Sequence, residues 1–199
     1  MMKIRNAKFS HERLFLSNVE VNALGPDLEL EHCEIFSDCV WKSLLISGMR
    51  MTGGRFVQQD RTLSDFHFEN VHFRGVGFSG NFSGCDFGDW DSLKKSSIAD
   101  CDFSAARLDG CRFLNCDIDT IELPRWPCFT IVGLGDARDF VSGYQWPGKV
   151  GITLDVYTDN DPECVAICGD AQRMAKPSGI VLEDLRASLQ LIPGIRIID

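Results

Sequence analysis

Between Ser96 and Leu123, large apolar residues recur at every fifth position: Ile98, Phe103, Leu108, Phe113, Ile118 and Leu123. Two residues before each stands a second column, Ser96, Cys101, Ala106, Cys111, Cys116 and Ile121, mostly small and uncharged. Between and after them come Asp102, Arg107, Arg112, Asp117 and Glu122, then Ser104, Asp109 and Asp119. Each unit of five therefore reads inside, outside, inside, outside, outside. A period of five is neither the 3.6 of a helix nor a simple strand alternation, although the inside-outside-inside triplet is strand-like. Repetition at a short fixed period means a solenoid, because one unit cannot bury its apolar residue alone and stacked neighbours supply the core.

The triplets Cys101-Asp102-Phe103, Ala106-Arg107-Leu108, Cys111-Arg112-Phe113 and Cys116-Asp117-Ile118 resemble those of the pentapeptide-repeat family. The resemblance implies an all-β solenoid, a right-handed quadrilateral β-helix with one pentapeptide per side. In that family the central Phe or Leu and the small residue two before it point inward. The same frame is legible upstream. Cys33-Glu34-Ile35 is a clear triplet, and Trp41, Ile46, Met51 and Phe56 are five apart, preceded by Cys39, Leu44, Met49 and Gly54. The polar run Gln58 to Thr62 reads as a loop leaving one corner, after which Phe66-His67-Phe68, Val71-His72-Phe73 and Val76-Gly77-Phe78 resume. The frame slips at Phe82 and Cys85-Asp86-Phe87, and a second loop holds Trp90, Asp91, Lys94 and Lys95. The irregular stretch from Phe9 to Leu30 reads as a cap and first coil. A rod over residues 1–123 amounts to about six coils, roughly 25 to 30 Å long at about 4.8 Å per stacked strand.

The repeat stops at Pro124-Arg125-Trp126-Pro127, where two prolines cannot continue a hydrogen-bonded ladder. Residues 124–199 are expected to form a mixed α/β extension. Strand-like runs appear at Phe129 to Val132 and Val150 to Tyr157, and Asp161-Pro162 reads as the start of a helix through Val165, Ile167, Ala171 and Met174. A terminal helix carrying Leu182, Leu185, Leu189 and Ile192 is followed by the strand-like Ile195-Arg196-Ile197-Ile198. That helix is expected either to cap the open end of the rod or to form a homodimer. Gly179-Ile180-Val181-Leu182, Ala187-Ser188-Leu189 and the final strand resemble the tail of the quinolone-resistance branch of the family. Members of that branch are similar to B-form DNA in shape and charge, bind type II topoisomerases and dimerise through the tail. This chain departs from them in its shorter rod and in some fifty non-repeat residues, about 128–178.

A net charge of -9 argues against a nucleic-acid partner, since neutralising phosphates needs a basic face. Nine cysteines could mean disulfides, but the opening Met1-Met2-Lys3-Ile4-Arg5-Asn6 lacks the apolar core of a signal peptide, so a cytoplasmic location and reduced thiols are expected. Cys85, Cys101, Cys111 and Cys116 fall in the small inward column, where a thiol serves as a small hydrophobe. No apolar run approaches the roughly 20 residues of a membrane span.

Chemical motifs are sparse. Gly133-Leu134-Gly135 begins like a dinucleotide turn but has Arg138 in place of the third glycine. Asp159, Asp161 and Glu163 are spaced like calcium ligands but meet Cys164 where the loop requires glycine. His67 and His72 are one repeat apart on outward positions, and Cys164 and Cys168 stand at helical spacing. No nucleophile with a base, no metal set and no cofactor is expected. Acidic residues outnumber basic ones nine to four between Asp86 and Glu122. The expectation is a non-enzymatic, acidic inhibitor or immunity-type protein that presents Asp100, Asp102, Asp109, Asp117, Asp119 and Glu122 to a basic protein partner, a toxin or a topoisomerase. The alternative is a rod that scaffolds a ligand-binding or catalytic tail, with Asp155, Asp159 and Asp161 as its candidates.

Overall fold

The computed structural model describes residues 1–91 and 96–199. The expected Lys94 and Lys95 of the second loop lie outside the described residues. The chain first winds into a β-solenoid. Its turns run through β1 (Met2–Ile4), β2 (Ala7–Ser10) and β3 (Arg13–Leu16), then β4 (Asn22–Leu24), β5 (Leu28–Glu31) and β6 (Glu34–Ser37). There follow β7 (Leu44–Ile46), β8 (Met49–Thr52) and β9 (Arg55–Gln58), then β10 (Leu63–Ser64), β11 (Val71–Arg74) and β12 (Gly77–Ser83). The last are β13 (Asp86–Gly88), β14 (Ser97–Ala99), β15 (Asp102–Asp109) and β16 (Cys111–Leu114).

Each strand pairs in parallel with the one a turn later, giving the sheets β1-β4-β7, β2-β5-β8-β11-β14 and β3-β6-β9-β12-β15, with β10 also on β12. The five-strand sheet counts about five turns, not six. Its steps are 21 residues (Ala7 to Leu28), 21 (Leu28 to Met49), 22 (Met49 to Val71) and 25 (His72 to Ser97), so corners and loops consume more chain than four bare pentapeptides.

Inside, the apolar column becomes a stack of rings. Phe56, Phe68, Phe78, Phe82, Phe87, Phe103 and Phe113 are all at most 1% exposed, and Phe78 lies flat on Phe103 at 4.4 Å. Each buried ring contributes about 1.5–3 kcal/mol by removal from water. The corners turn through left-handed residues that also stack: Asn6, Asp27, Gly48 and Asn70 on one edge, His11, His32, Gly53, Gly75 and Asp100 on another. Gly, Asn and Asp tolerate that conformation best, which explains their periodic placement.

Two placements need correction. Trp41 opens a short 3-10 helix (Trp41–Ser43) and is 54% exposed. The interior beside it is polar: Asn18 Oδ1 accepts from Val40 N (3.0 Å) and Ser43 Oγ (2.6 Å), and Asn22 Nδ2 donates to the Ser17 and Glu20 carbonyls, with the Ser43 carbonyl 3.3 Å away. That network closes the coil without an indole. Gln58, conversely, is buried rather than part of the loop, and its Nε2 donates to the Cys39 and Arg61 carbonyls at 2.9 and 3.0 Å.

Beyond the rod come β17 (Cys128–Val132), α1 (Leu134–Gly143), α2 (Val150–Thr158), β18 (Cys164–Asp170), α3 (Ala171–Ala175), α4 (Leu182–Leu189) and β19 (Ile195–Arg196). The run expected as a strand at 150–157 is thus helix α2. Val150, Leu154 and Thr158 are buried at a spacing of four while Ile152 and Val156 face solvent, so the apparent alternation of apolar residues belongs to two sides of a helix. The segment expected as a helix from Asp161 is strand β18. It lies between β16 and β17 and is almost entirely buried, so no alternating pattern marks it. Cys164 and Cys168 are accordingly both buried strand residues.

β18 runs antiparallel to β16, with Cys111 opposite Cys168 and Phe113 opposite Ala166. It therefore extends the β13-β16 side of the rod into the sheet β13-β16-β18-β17-β19, and Ala166 and Cys168 join the rod core. The last coil is covered by this strand rather than by the terminal helix, since an open strand edge needs hydrogen-bonding partners that a helix surface does not offer. Leu185, Leu189 and Ile192 are at most 2% exposed and pack in a second core with Phe129, Ile131 and Leu154.

Candidate partner-binding surface

The last turn of the rod gathers most of the expected acidic residues. Asp102 and Glu122 are parallel bridge partners on successive turns, and Asp102 Oδ1 accepts from Ser104 N at 2.7 Å. Asp100 occupies a left-handed corner, exposed, with Arg74 at 3.6 Å and its backbone N–H on Thr120 Oγ1. Asp117 caps the short 3-10 helix Ile118–Thr120 by accepting from Asp119 N at 3.1 Å. Asp119 reaches across to Arg196 at 2.8 Å. Asp102 and Asp117 are held by local turns, whereas Asp100 and Asp119 are paired with Arg74 and the distant Arg196.

Asp109 is not among them. It faces the extension, where Tyr157 Oη donates to it at 2.8 Å and Arg173 lies at 3.0 Å. Burial first, and Asp109 second, push the Tyr157 hydroxyl well above its usual range, so it stays a donor. Next to it the buried Asp170 takes Arg107 at 2.6 Å while accepting from Gln172 N and Arg173 N. Asp109 and Arg107 thus bind the extension to the rod. Their outward repeat positions are visible in sequence; what occupies the outside is not.

A second polar centre surrounds Asp86, which is 7% exposed. Arg112 grips it through Nε (2.7 Å) and a terminal nitrogen (3.0 Å), while His67 Nδ1 and Trp90 Nε1 each lie 3.3 Å from Oδ2. The Arg112 guanidinium sits 4.9 Å from the Trp90 ring centre. The Asp86 hydrogen bond raises the His67 pKa against a smaller opposing effect of burial. Burial opposes the Asp86 charge, but His67 and Arg112 outweigh it and the net pKa is lowered. His72, the other expected histidine, meets Ser97 Oγ at 2.8 Å; burial and Arg50 lower its pKa. The two imidazoles therefore have separate partners, and among the described residues no cluster of three or more His, Cys, Asp or Glu is arranged to hold a metal. The outward column makes this centre foreseeable, since Asp86, Arg112 and His67 occupy the outward positions of their triplets.

The candidate dimer residues are placed differently. Leu185, Leu189 and Ile192 are spent inside the extension and Leu182 is half-buried, while the exposed apolar side chains around α4 are Val181 and Leu191. In the extension Asp159 is paired with Arg138, and Asp155 and Asp161 lie on its surface.

No family model, curated protein or solved structure matches this chain. Among the described residues no helix is long and apolar enough to cross a membrane.

Proposed function

We propose that the chain is a pentapeptide-repeat protein of the right-handed, four-sided type, and that it acts by binding another protein rather than by catalysis. The observation that carries this reading is the acidic rim of the last turn: Asp100, Asp102, Asp117, Asp119 and Glu122 on one rigid stretch. Charge is also distributed unevenly. Residues 1–62 carry eight basic and eight acidic side chains, whereas 63–127 carry six basic and eleven acidic. Such a rim attracts a basic surface, steers its approach and loses little entropy on docking. The role that fits is an acidic inhibitor of the immunity type, occupying a basic surface of a toxin-like protein. A type II topoisomerase is the other target, implied by the family resemblance; a rod of about five turns is roughly 24 Å long, a short mimic of duplex DNA.

Capture of partners by the tagged full-length chain, followed by mass spectrometry, distinguishes the two. The decisive variant reverses Asp102, Asp117, Asp119 and Glu122 to lysine. Binding is expected to fall more than tenfold, with a circular dichroism spectrum like that of the parent. Unchanged binding removes the acidic rim from the account. A partner lost instead on substituting Asp155, Asp159 or Asp161 would favour the extension as the working part.

A further inference from the structure

The side of the rod built from β3, β6, β9, β12 and the start of β15 changes character along its length. In the first three turns its outward positions are Arg13 and Phe15, Glu34 and Phe36, Arg55 and Val57. Phe15 stacks on Phe36 with ring centres 5.3 Å apart, yet remains 66% exposed. Arg13 and Arg55 both bond to Glu34, so this column is net positive. Around the corner Val19 is 92% exposed and Trp41 54%, which widens the apolar area. Past Val57 the outward positions become small and then acidic: Gly77 and Ser79, then Asp102 and, across a register shift, Ala105, then Glu122.

A face that is bulky and positive at one end, small and negative at the other, is complementary to itself when turned end for end. We propose that two copies of the chain pack through this face, antiparallel, about a two-fold axis between Val57 and Ser79. Arg13 and Phe15 of each copy then face Glu122 of the other, Phe36 lies over Ala105, and Val57 over Ser79. Glu34 is neutralised between two arginines, so what meets Asp102 is a net cation. Packed sheets interdigitate at about 10 Å, and large side chains over small ones fill that gap. Exposed aromatic rings and arginines are enriched in protein interfaces. The contact is isologous and closes at two copies. A face about 24 Å long, widened by Val19 and Trp41, is smaller than the roughly 800 Å² per copy that stable pairs bury, so the pair is expected to be weak and to form only as concentration rises. Asp102 and Glu122 also belong to the acidic rim, so self-association and capture of a basic partner exclude each other.

The test uses the purified full chain alone, so its outcome is independent of the partner reading. Light scattering coupled to size exclusion over a rising concentration series is expected to move from the 22.3 kDa monomer to twice that mass. Phe15→Glu, at an exposed position, is expected to weaken the dimer more than tenfold with the fold intact by circular dichroism. Arg13→Glu is expected to weaken it likewise, and Arg13→Glu combined with Glu122→Arg to restore it. A monomer at every concentration, a dimer indifferent to Phe15→Glu, or a double charge swap that stays monomeric overturns the proposal.

Discussion

The carboxylate of Asp86 ties the stability of the rod to pH. His67 has its folded pKa raised by the Asp86 hydrogen bond, so its contribution is complete below the ordinary imidazole value near 6.5 and is lost as pH rises through the raised value. Asp86 is lowered, burial notwithstanding, so its share is complete above about 3.8 and is lost as pH falls through the lower value. The melting-temperature deficit of His67→Ala is therefore expected to be largest between about pH 4 and 6.5 and to shrink toward pH 8.5. Equal deficits across that span would show that the pair carries no charge. Thiols supply a second residue-level expectation. Of the nine free cysteines only Cys116 is not buried, and burial first, with Asp117 next, pushes its pKa up to about 11. A disulfide-exchange reagent at pH 7.5 should thus titrate at most one thiol, slowly, in the native protein and nine in denaturant; fast reaction of several would contradict the packing. Gly80 adopts φ +97°, and a Cβ there would lie 1.7 Å from the Gln58 carbonyl oxygen. Gly80→Ala is expected to destabilise by at least the 1–3 kcal/mol typical of a strained backbone position, read by denaturant unfolding.

At the level of elements, the ring stack and the closing strand have distinct roles. Phe78 contacts Phe56, Phe73, Phe82, Phe87 and Phe103, so Phe78→Ala should cost about 3–5 kcal/mol and broaden the transition as adjacent turns lose cooperativity. β18 protects the edge of β16, and Ala166→Pro, opposite Phe113, should leave that edge unpaired and drive concentration-dependent aggregation measurable by scattering. The same contrast explains what was legible in the sequence. A rod turn announces itself because every side has one buried and one solvated surface, so Phe103 and Leu108 stand out against Asp102 and Arg107. β18 has almost no solvated surface, and its Val165 and Ile167, with Ala171 just beyond it, fit a helix as well as a strand. The helix α2 exposes Ile152 and Val156 and so mimics alternation. Corner residues such as Asn6, Asp27 and Asn70 were a usable signal of turn length, recurring every 21 or 43 residues at left-handed positions.

Across the whole molecule, the acidic rim was foreseeable where it depends on the repeat, as with Asp102 and Glu122, and not where a distant segment intervenes. Asp109 has the same outward address in its unit, yet Tyr157 and Arg173, 48 and 64 residues later, claim it. Periodicity places a side chain on a surface but does not say what later covers that surface. If the remaining rim binds a basic partner, affinity should fall steeply between low and physiological salt, since exposed charges are screened within about 8–10 Å. A salt-independent affinity would point to the apolar helix face of Ile152 and Val156 instead.

The antiparallel entry of β18 also sets a schedule for the nascent chain. Neighbouring turns need only about 21 residues to close, so the rod can wind as it leaves the ribosome. Its final edge must wait, because Cys111 meets Cys168 only after 57 further residues have been made. At the usual 5–20 residues per second that interval lasts several seconds. During it the growing end presents an unsatisfied strand to every other chain on the same message, and synthesis speed becomes a determinant of yield.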